Sequence, residues 1–267
     1  IEMNKLEEYI LRYQGIHTAT DKYLALDGKL HDNYLDSSQG KTLFDGSQLG
    51  KKFPPYIQQV INAKGRAVTL LDYGCGKAIH TYMPLSAHGN KTLLGRLNGM
   101  IQCYYSYDPA VPQYAIKPPS GMVFDVTCCA DVMEHVPEEF VPQVLTEIGN
   151  YTKEDGAIIF SISSNPAKKM FKDGENLHAT IKDLNWWVDA IKQYCGGRSF
   201  LLIQNNDNEW IQATSVSSER EQELLAAGKK VTCNTSLRFF NSSKFNIWHY
   251  DAVQSGYYTD VNTGEVK

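Results

Sequence analysis

An α/β fold built on a doubly wound, mostly parallel sheet is predicted for this chain by three observations. Short β-branched and aliphatic runs alternate with amphipathic helical stretches between residues 67 and 204, the pattern of strands joined by crossover helices. Several of those runs stop abruptly at glycine or acidic turns, as at Gly74-Cys75-Gly76 and Asp108-Pro109. Residues 231–253 carry two further β-rich patches that read as an antiparallel C-terminal edge. Length and composition agree with this: 267 residues, 42% apolar and 21% charged, suit one large globular domain or two small ones. The predicted division is an N-terminal helical extension or lid over 1–64 and the sheet domain over 65–267.

The elements follow in order. Residues 1–15 read as a helix, with Leu6, Ile10, Leu11 and Tyr13 recurring on one side. Residues 16–50 are polar and glycine-rich, long for an idle connection, and read as a lid or binding segment. A helix is expected over 55–63 before Gly65. Strands are expected over 67–73, 102–107 and 122–129. Residues 138–148 form an amphipathic helix, with Gly149-Asn150 as its stop. A strand over 156–162 comes next. The helix over 183–195 has Asp183 as N-cap and Gly196-Gly197 as stop. After a strand over 200–204, Ser218 and Glu221 suggest a capping box for a helix ending at Gly228. Residues 237–240 and 245–250 make the edge pair. The stretch between Ile79 and Ile101 is long enough for an inserted helix or flap.

Composition excludes some functions. The net charge of −4 lacks the basic excess of a protein built to hold nucleic-acid backbone. No run approaches the roughly 18 to 20 apolar residues of a membrane span. The first residues lack the basic-then-apolar pattern of a secretory signal. The cysteines at 75, 103, 128, 129, 195 and 233 form no C-x-x-C pair and match no zinc ligand set. Buried free thiols and a cytoplasmic location are expected, with Cys128 and Cys129 on opposite sides of one strand.

Ligands of parallel sheets bind at the carboxyl ends of the strands, so the residues following each strand carry the functional reading. The first strand ends in LDYGCGKA, residues 71–78. Gly74 and Gly76 permit close backbone approach to a ligand. The third glycine of a dinucleotide turn is absent, since that position is Ile79, and no P-loop is present. Asp72 would repel a phosphate but suits a cationic amine. After the second strand, Asp108 precedes Pro109; its carboxylate is placed to accept two ribose hydroxyls or to start a turn. After the third strand come Asp131, Val132, Met133, Glu134 and His135, a polar cluster fed directly by a core strand.

Taken together, LDYGCGKA, YDPA, FDVTCCADVMEHVPEE and GAIIFSIS resemble the class I, Rossmann-like S-adenosylmethionine-dependent methyltransferases, and most closely their type 11 branch, over residues 65–165. The resemblance implies a Rossmann-like sheet and S-adenosyl-L-methionine as cofactor. It implies that Gly74 and Gly76 lie beside the methionine part, that Asp72 helps hold the ammonium group directly or through water, and that Asp108 takes the ribose hydroxyls, with Cys75 and Pro109 also among the cofactor-binding residues. It places Asp131, Val132 and Met133 along the adenine and methionine side, with His135 closing that wall. Two departures stand out. Ala78 replaces a usual glycine, and Val111–Gly121 offers no acid to read the adenine amino group.

The segment Asp173-Gly174-Glu175-Asn176-Leu177-His178, followed by Trp186-Trp187, resembles a signature found in a subset of these enzymes. By topology it overhangs the transferable methyl. His178 is therefore the candidate general base or substrate orienter, or else a helix-capping histidine; Asn176 and Trp186 are the substrate candidates. Lys168, Lys169 and Lys172 read as steering for an anion or as a solvated face. Phe44, in the segment from Lys41 to Ser47, is expected to cover the cofactor, and a sulfonium favours aromatic neighbours such as Tyr13, Tyr34 or Phe44.

The expected function is methyl transfer to an oxygen or nitrogen of a small molecule or sugar. It requires alignment and water exclusion but no metal, and a base such as His178 or His135 only for a hydroxyl or protonated amine. Nucleic acid and membrane are not expected partners, and neither the acceptor's identity nor an oligomeric state has a signature in the chain. Three rivals are a nucleic-acid methyltransferase, an inactive cofactor-binding partner subunit and a nicotinamide dehydrogenase. The first is disfavoured by Asp131-Val132-Met133-Glu134 standing where an N-P-P-[YFW] tetrapeptide would be, the last by Ile79.

Overall fold

The computed structural model describes residues 4–32, 44–82, 92–97, 99–206, 209–215 and 235–241, with backbone alone from 205 onward. The chain begins with α1 (Lys5–His17), capped by Asn4 in a reciprocal box with Glu7. A hairpin of β1 (Lys22–Leu24) and β2 (Leu30–Asp32) follows. Next come α2 (Ser47–Lys52), α3 (Pro54–Lys64), β3 (Val68–Tyr73), α4 (Ile79–Tyr82), α5 (Leu93–Arg96) and β4 (Ile101–Tyr107). Then come β5 (Phe124–Ala130), α6 (Val141–Tyr151), β6 (Thr152–Ser163), β7 (Met170–Phe171), α7 (Leu184–Tyr194), β8 (Ser199–Asn206), β9 (Glu209–Ser215) and β10 (Thr235–Asn241).

The main sheet has the order β10-β9-β8-β6-β5-β3-β4. Strands β4, β3, β5, β6 and β8 are mutually parallel. Strands β9 and β10 add an antiparallel edge. The fold is thus α/β as the alternating runs predict.

Two apolar clusters, one on each face, explain why those runs are almost continuously hydrophobic. Leu71, Phe124, Cys129, Phe160 and Leu202 pack under α6 and α7, around Leu145, Ile148, Trp187 and Ile191. Val68, Leu70, Val126, Cys128 and Ile203 pack under Leu49, Phe53, Ile57 and Ile61 of α2 and α3. Cys128 and Cys129 do face opposite sides, and the described cysteines are all free thiols; Cys233 lies outside the described residues. Residues 47–64, grouped by sequence with the extension, therefore form part of the sheet's own core.

The structure changes several boundaries. Gly149 and Asn150 lie inside α6 rather than ending it. A Cβ at Gly149 would stand 2.9 Å from the backbone of Cys195. The glycine is there for close approach of α6 to the end of α7. Asp183 and Gly196 do bound α7, the aspartate accepting from the Trp186 amide at 2.9 Å and the glycine turning left-handed at φ +62°. The polar 16–50 stretch contains a hairpin that pairs with β7, in the order β2-β1-β7, and β9 was not anticipated. The expected helix ending at Gly228, the strand over 245–250, Lys41 to Leu43 and Tyr34 lie outside the described residues. No helix among the described residues is long and apolar enough to cross a membrane.

Candidate functional site

Strand β4 lies on one side of β3 and β5 on the other, so the winding reverses between β3 and β5. The connections leaving their carboxyl ends diverge at such a reversal, the place where sheets of this kind hold a ligand crevice. A cleft of about 1430 Å³ occupies it, roofed by α1 and the residues around Phe44.

The turn after β3 forms its floor. Gly74 and Cys75 donate their amides to the Tyr107 carbonyl at 2.7 and 3.1 Å. Gly76 donates to Asp108 Oδ2 at 2.9 Å, and the Ala110 amide donates to Oδ1 at 2.9 Å. The Asp108 carboxylate thus joins the ends of β3 and β4. Burial pushes its pKa up to about 6, against the two amide hydrogen bonds. Each oxygen retains lone-pair capacity toward the cleft, which Asp108 lines with Pro109.

Both glycines are required by packing. At Gly74, φ +76°, a Cβ would collide with the Val132 side chain; at Gly76, φ +56°, it would overlap the Phe44 carbonyl. That carbonyl accepts from Lys77 at 3.1 Å, and the Asp45 carbonyl accepts from Ile79 at 2.9 Å. Gly46 approaches the Cys75 carbonyl just as closely. Phe44, Ala78 and Asp131 all hold left-handed φ angles of 47–55°. Such strain in non-glycine residues concentrates where surrounding structure over-determines the backbone, commonly at functional sites.

The far wall follows β5. The Asp131 carboxylate accepts from Lys52 Nζ at 2.8 and 2.9 Å and from Ser161 Oγ at 2.5 Å. Glu134 is buried; its Oε1 accepts from the Ser163 amide at 3.0 Å while Oε2 has no partner among the described residues. Burial, reinforced by the nearby Asp131 charge, pushes Glu134 up to about 8.

His135 Nδ1 lies 2.9 Å from both the Leu177 carbonyl and the Tyr13 hydroxyl, and that hydroxyl itself donates to the Leu177 carbonyl. His178 Nδ1 lies 2.5 Å from the Asn165 carbonyl. The two rings meet edge to face at 4.9 Å. Burial lowers both pKa values, that of His135 to about 4 with His178 contributing, so both are neutral at pH 7.

Helix α1 is fastened above them. Arg12 pairs with Asp173 and Glu175 and lies 3.7 Å over the Phe171 ring, and Tyr9 donates to Glu175.

Gly74, Gly76, Asp108, Pro109, Asp131, Val132, His135, His178 and Phe44 therefore come together around one cleft. Five expected positions do not. Asp72 points to the opposite sheet face, where it accepts from Tyr104 at 2.7 Å and sits 3.2 Å from His80. Strand parity puts it beside Leu70, and it is not among the residues lining the cleft. The buried Cys75 thiol turns back to its neighbour's carbonyl at 3.4 Å. Met133 is fully buried in the α6–α7 core. Asn176 is a loop clasp, accepting from Ala167 and His178 amides at 2.9 and 2.8 Å. Trp186 packs edge-on against Trp187 at 4.9 Å, beside the core.

Of the lysines, Lys168 and Lys169 line the cleft, and Lys172 pairs with Asp21 at 2.9 Å. Glu134 belongs to the polar cluster the sequence marks, though without an assigned role; Lys52, Ser161 and Ser163 are site residues that sequence reasoning missed. Nothing local marks them, since each acquires its role from a partner on another element.

No family model, no curated protein and no solved structure matches this chain.

Proposed function

We propose that the crevice binds a nucleoside. More specifically, the protein is read as an S-adenosylmethionine-dependent methyltransferase of Rossmann-like fold, acting on an oxygen or nitrogen of a small molecule or sugar. The observation that carries this reading is the buried Asp108 carboxylate, clasped to the Gly74–Gly76 turn where the sheet's winding reverses. The donor set fits the ligand: two carboxylate oxygens suit a ribose diol, and a side-chain-free turn admits a close-lying chain.

When bound, the cofactor supplies an electrophilic methyl on a sulfonium. The chain's own residues do the rest. Asp108 accepts the ribose hydroxyls. The turn presents backbone to the methionine part. Phe44 and Tyr13, edge to face at 5.6 Å, cover the crevice, exclude water and offer π faces to a cation. His178 and His135, neutral and facing the cleft, orient an acceptor and take its proton where it has one to lose.

Calorimetry with S-adenosylmethionine and its demethylated product tests the reading. Asp108→Ala weakens binding by roughly 1–3 kcal/mol, the scale of hydrogen bonds to a charged group. The ionised carboxylate is the better acceptor, so wild-type affinity rises with pH up to about 6 and is flat above it. Below that it falls by up to about tenfold per unit. Asp108→Asn removes this dependence. Unchanged affinity in Asp108→Ala would mean the ribose lies elsewhere. Binding without methyl transfer to any acceptor pool would favour the partner-subunit alternative.

A further inference from the structure

Glu134 and His135 lie in the turn after β5, and His178 in the loop between β7 and α7. One ligand atom from each lies within 4.8 Å of the others. A cation with bonds of about 2.0–2.2 Å draws such a set together through small side-chain rotations.

Each imidazole has one nitrogen held at a main-chain carbonyl, which leaves the other for a ligand. The Nδ1 of each faces a main-chain carbonyl, Leu177 O for His135 and Asn165 O for His178. A carbonyl only accepts, so Nδ1 carries the proton and the lone pair is on Nε2 in both rings. Metal-binding histidines are held in this way by their outer partners. Glu134 adds an independent indication: one oxygen is fixed by the Ser163 amide, while the other is buried with no partner among the described residues. Such an oxygen is costly to leave unsatisfied, and a bound cation is a partner that would satisfy it.

We propose that Glu134, His135 and His178 bind one divalent transition-metal ion whose remaining coordination positions open to the cleft. Two nitrogens and one carboxylate favour zinc, iron, cobalt or manganese over calcium or magnesium. His135 and His178 both line the cleft, so the ligand class for the open positions is an oxygen donor, a hydroxyl or carboxylate. That last point rests on the methyl-transfer reading and selects an oxygen acceptor within it; the metal site itself does not. With the ion bound, the two Nε2 lone pairs would be engaged as ligands in place of their base role, and the cation would lower the pKa of a coordinated hydroxyl so that its proton passes to water in the cleft.

The test uses the full chain, stripped with EDTA and titrated with cobalt(II) chloride without nucleoside. One equivalent binds and visible d–d bands arise. His178→Ala and Glu134→Gln each weaken binding at least tenfold and lose the bands, with circular dichroism and denaturation midpoint showing both variants folded. Should one variant fail to fold, the other decides. Absence of cobalt binding, or bands that survive in a folded variant, overturns the proposal. Cobalt binding without affinity for S-adenosylmethionine would sink the methyl-transfer reading and leave the metal site standing; the reverse result would sink only the metal site.

Discussion

Gly76→Ala is expected to destabilise the protein by about 2–5 kcal/mol and to abolish the nucleoside binding proposed for the cleft. Two costs combine. Gly76 holds φ +56°, a conformation that costs an L-residue roughly 1–2 kcal/mol. Its new Cβ would also overlap the Phe44 carbonyl, a main-chain atom fastened by the Lys77 amide. That carbonyl has no rotamer to escape into, so the backbone of 44–46 must lift off the turn, at the roughly 1–3 kcal/mol of an overpacked site. Lifting it withdraws Phe44 from the cleft and disturbs the Asp108 clasp, which uses the Gly76 amide. Gly28→Ala separates the two costs, because Gly28 has φ +75° and a Cβ added there would meet nothing within 4 Å. Urea denaturation of both variants should show Gly28→Ala losing only the conformational part. Equal losses would mean that no close approach operates at Gly76.

The contrast between Asp72 and Asp108 shows what a sequence reveals of such a site. Both are acids at strand ends, and both suit a ligand role on paper. Burial of the strands was legible because runs covered on both faces are nearly all apolar. Which face an acid takes follows from parity, and Asp72 shares the parity of Leu70, packed under α2 and α3. Gly149 shows a second limit. A glycine after an amphipathic run reads as a helix stop, and only the proximity of Cys195 reveals it as a packing glycine. The small β2-β1-β7 sheet was illegible for a third reason. Its strands are two or three residues long and its closing pairs, such as Tyr23 with Phe171, span most of the chain. The same long-range closure brings His178 to Glu134 and His135.

At the opposite end of β5 from the cleft, Asp125 provides a prediction about stability alone. Its side chain is fully buried and accepts from Arg66 at 2.7 and 3.1 Å, Lys153 at 3.1 Å, and the Thr69 amide and hydroxyl at 2.9 and 3.1 Å. Burial by itself would raise its pKa, but the Arg66 hydrogen bonds, with Thr69 and Lys153, hold it well below the usual carboxylate range. Asp125→Ala leaves a strand amide unpaired and two cations without their counter-charge. Breaking a buried pair costs about 3–5 kcal/mol. Arg66 and Lys153 are partly exposed and regain water, so the lower end, about 3 kcal/mol, is expected. The pH dependence has a definite sign. A depressed carboxylate contributes its stability fully above the unfolded value of about 4 and loses it as pH falls toward the folded one. The gap between wild type and Asp125→Ala is therefore constant from pH 7 to about 5 and narrows below 4, while nucleoside affinity of the folded variant stays at the wild-type level. Guanidinium denaturation at pH 7 and pH 3 measures the gap. A difference that widens in acid would show that the carboxylate is not held ionised by this network, because only a depressed pKa makes the contribution vanish from the acid side.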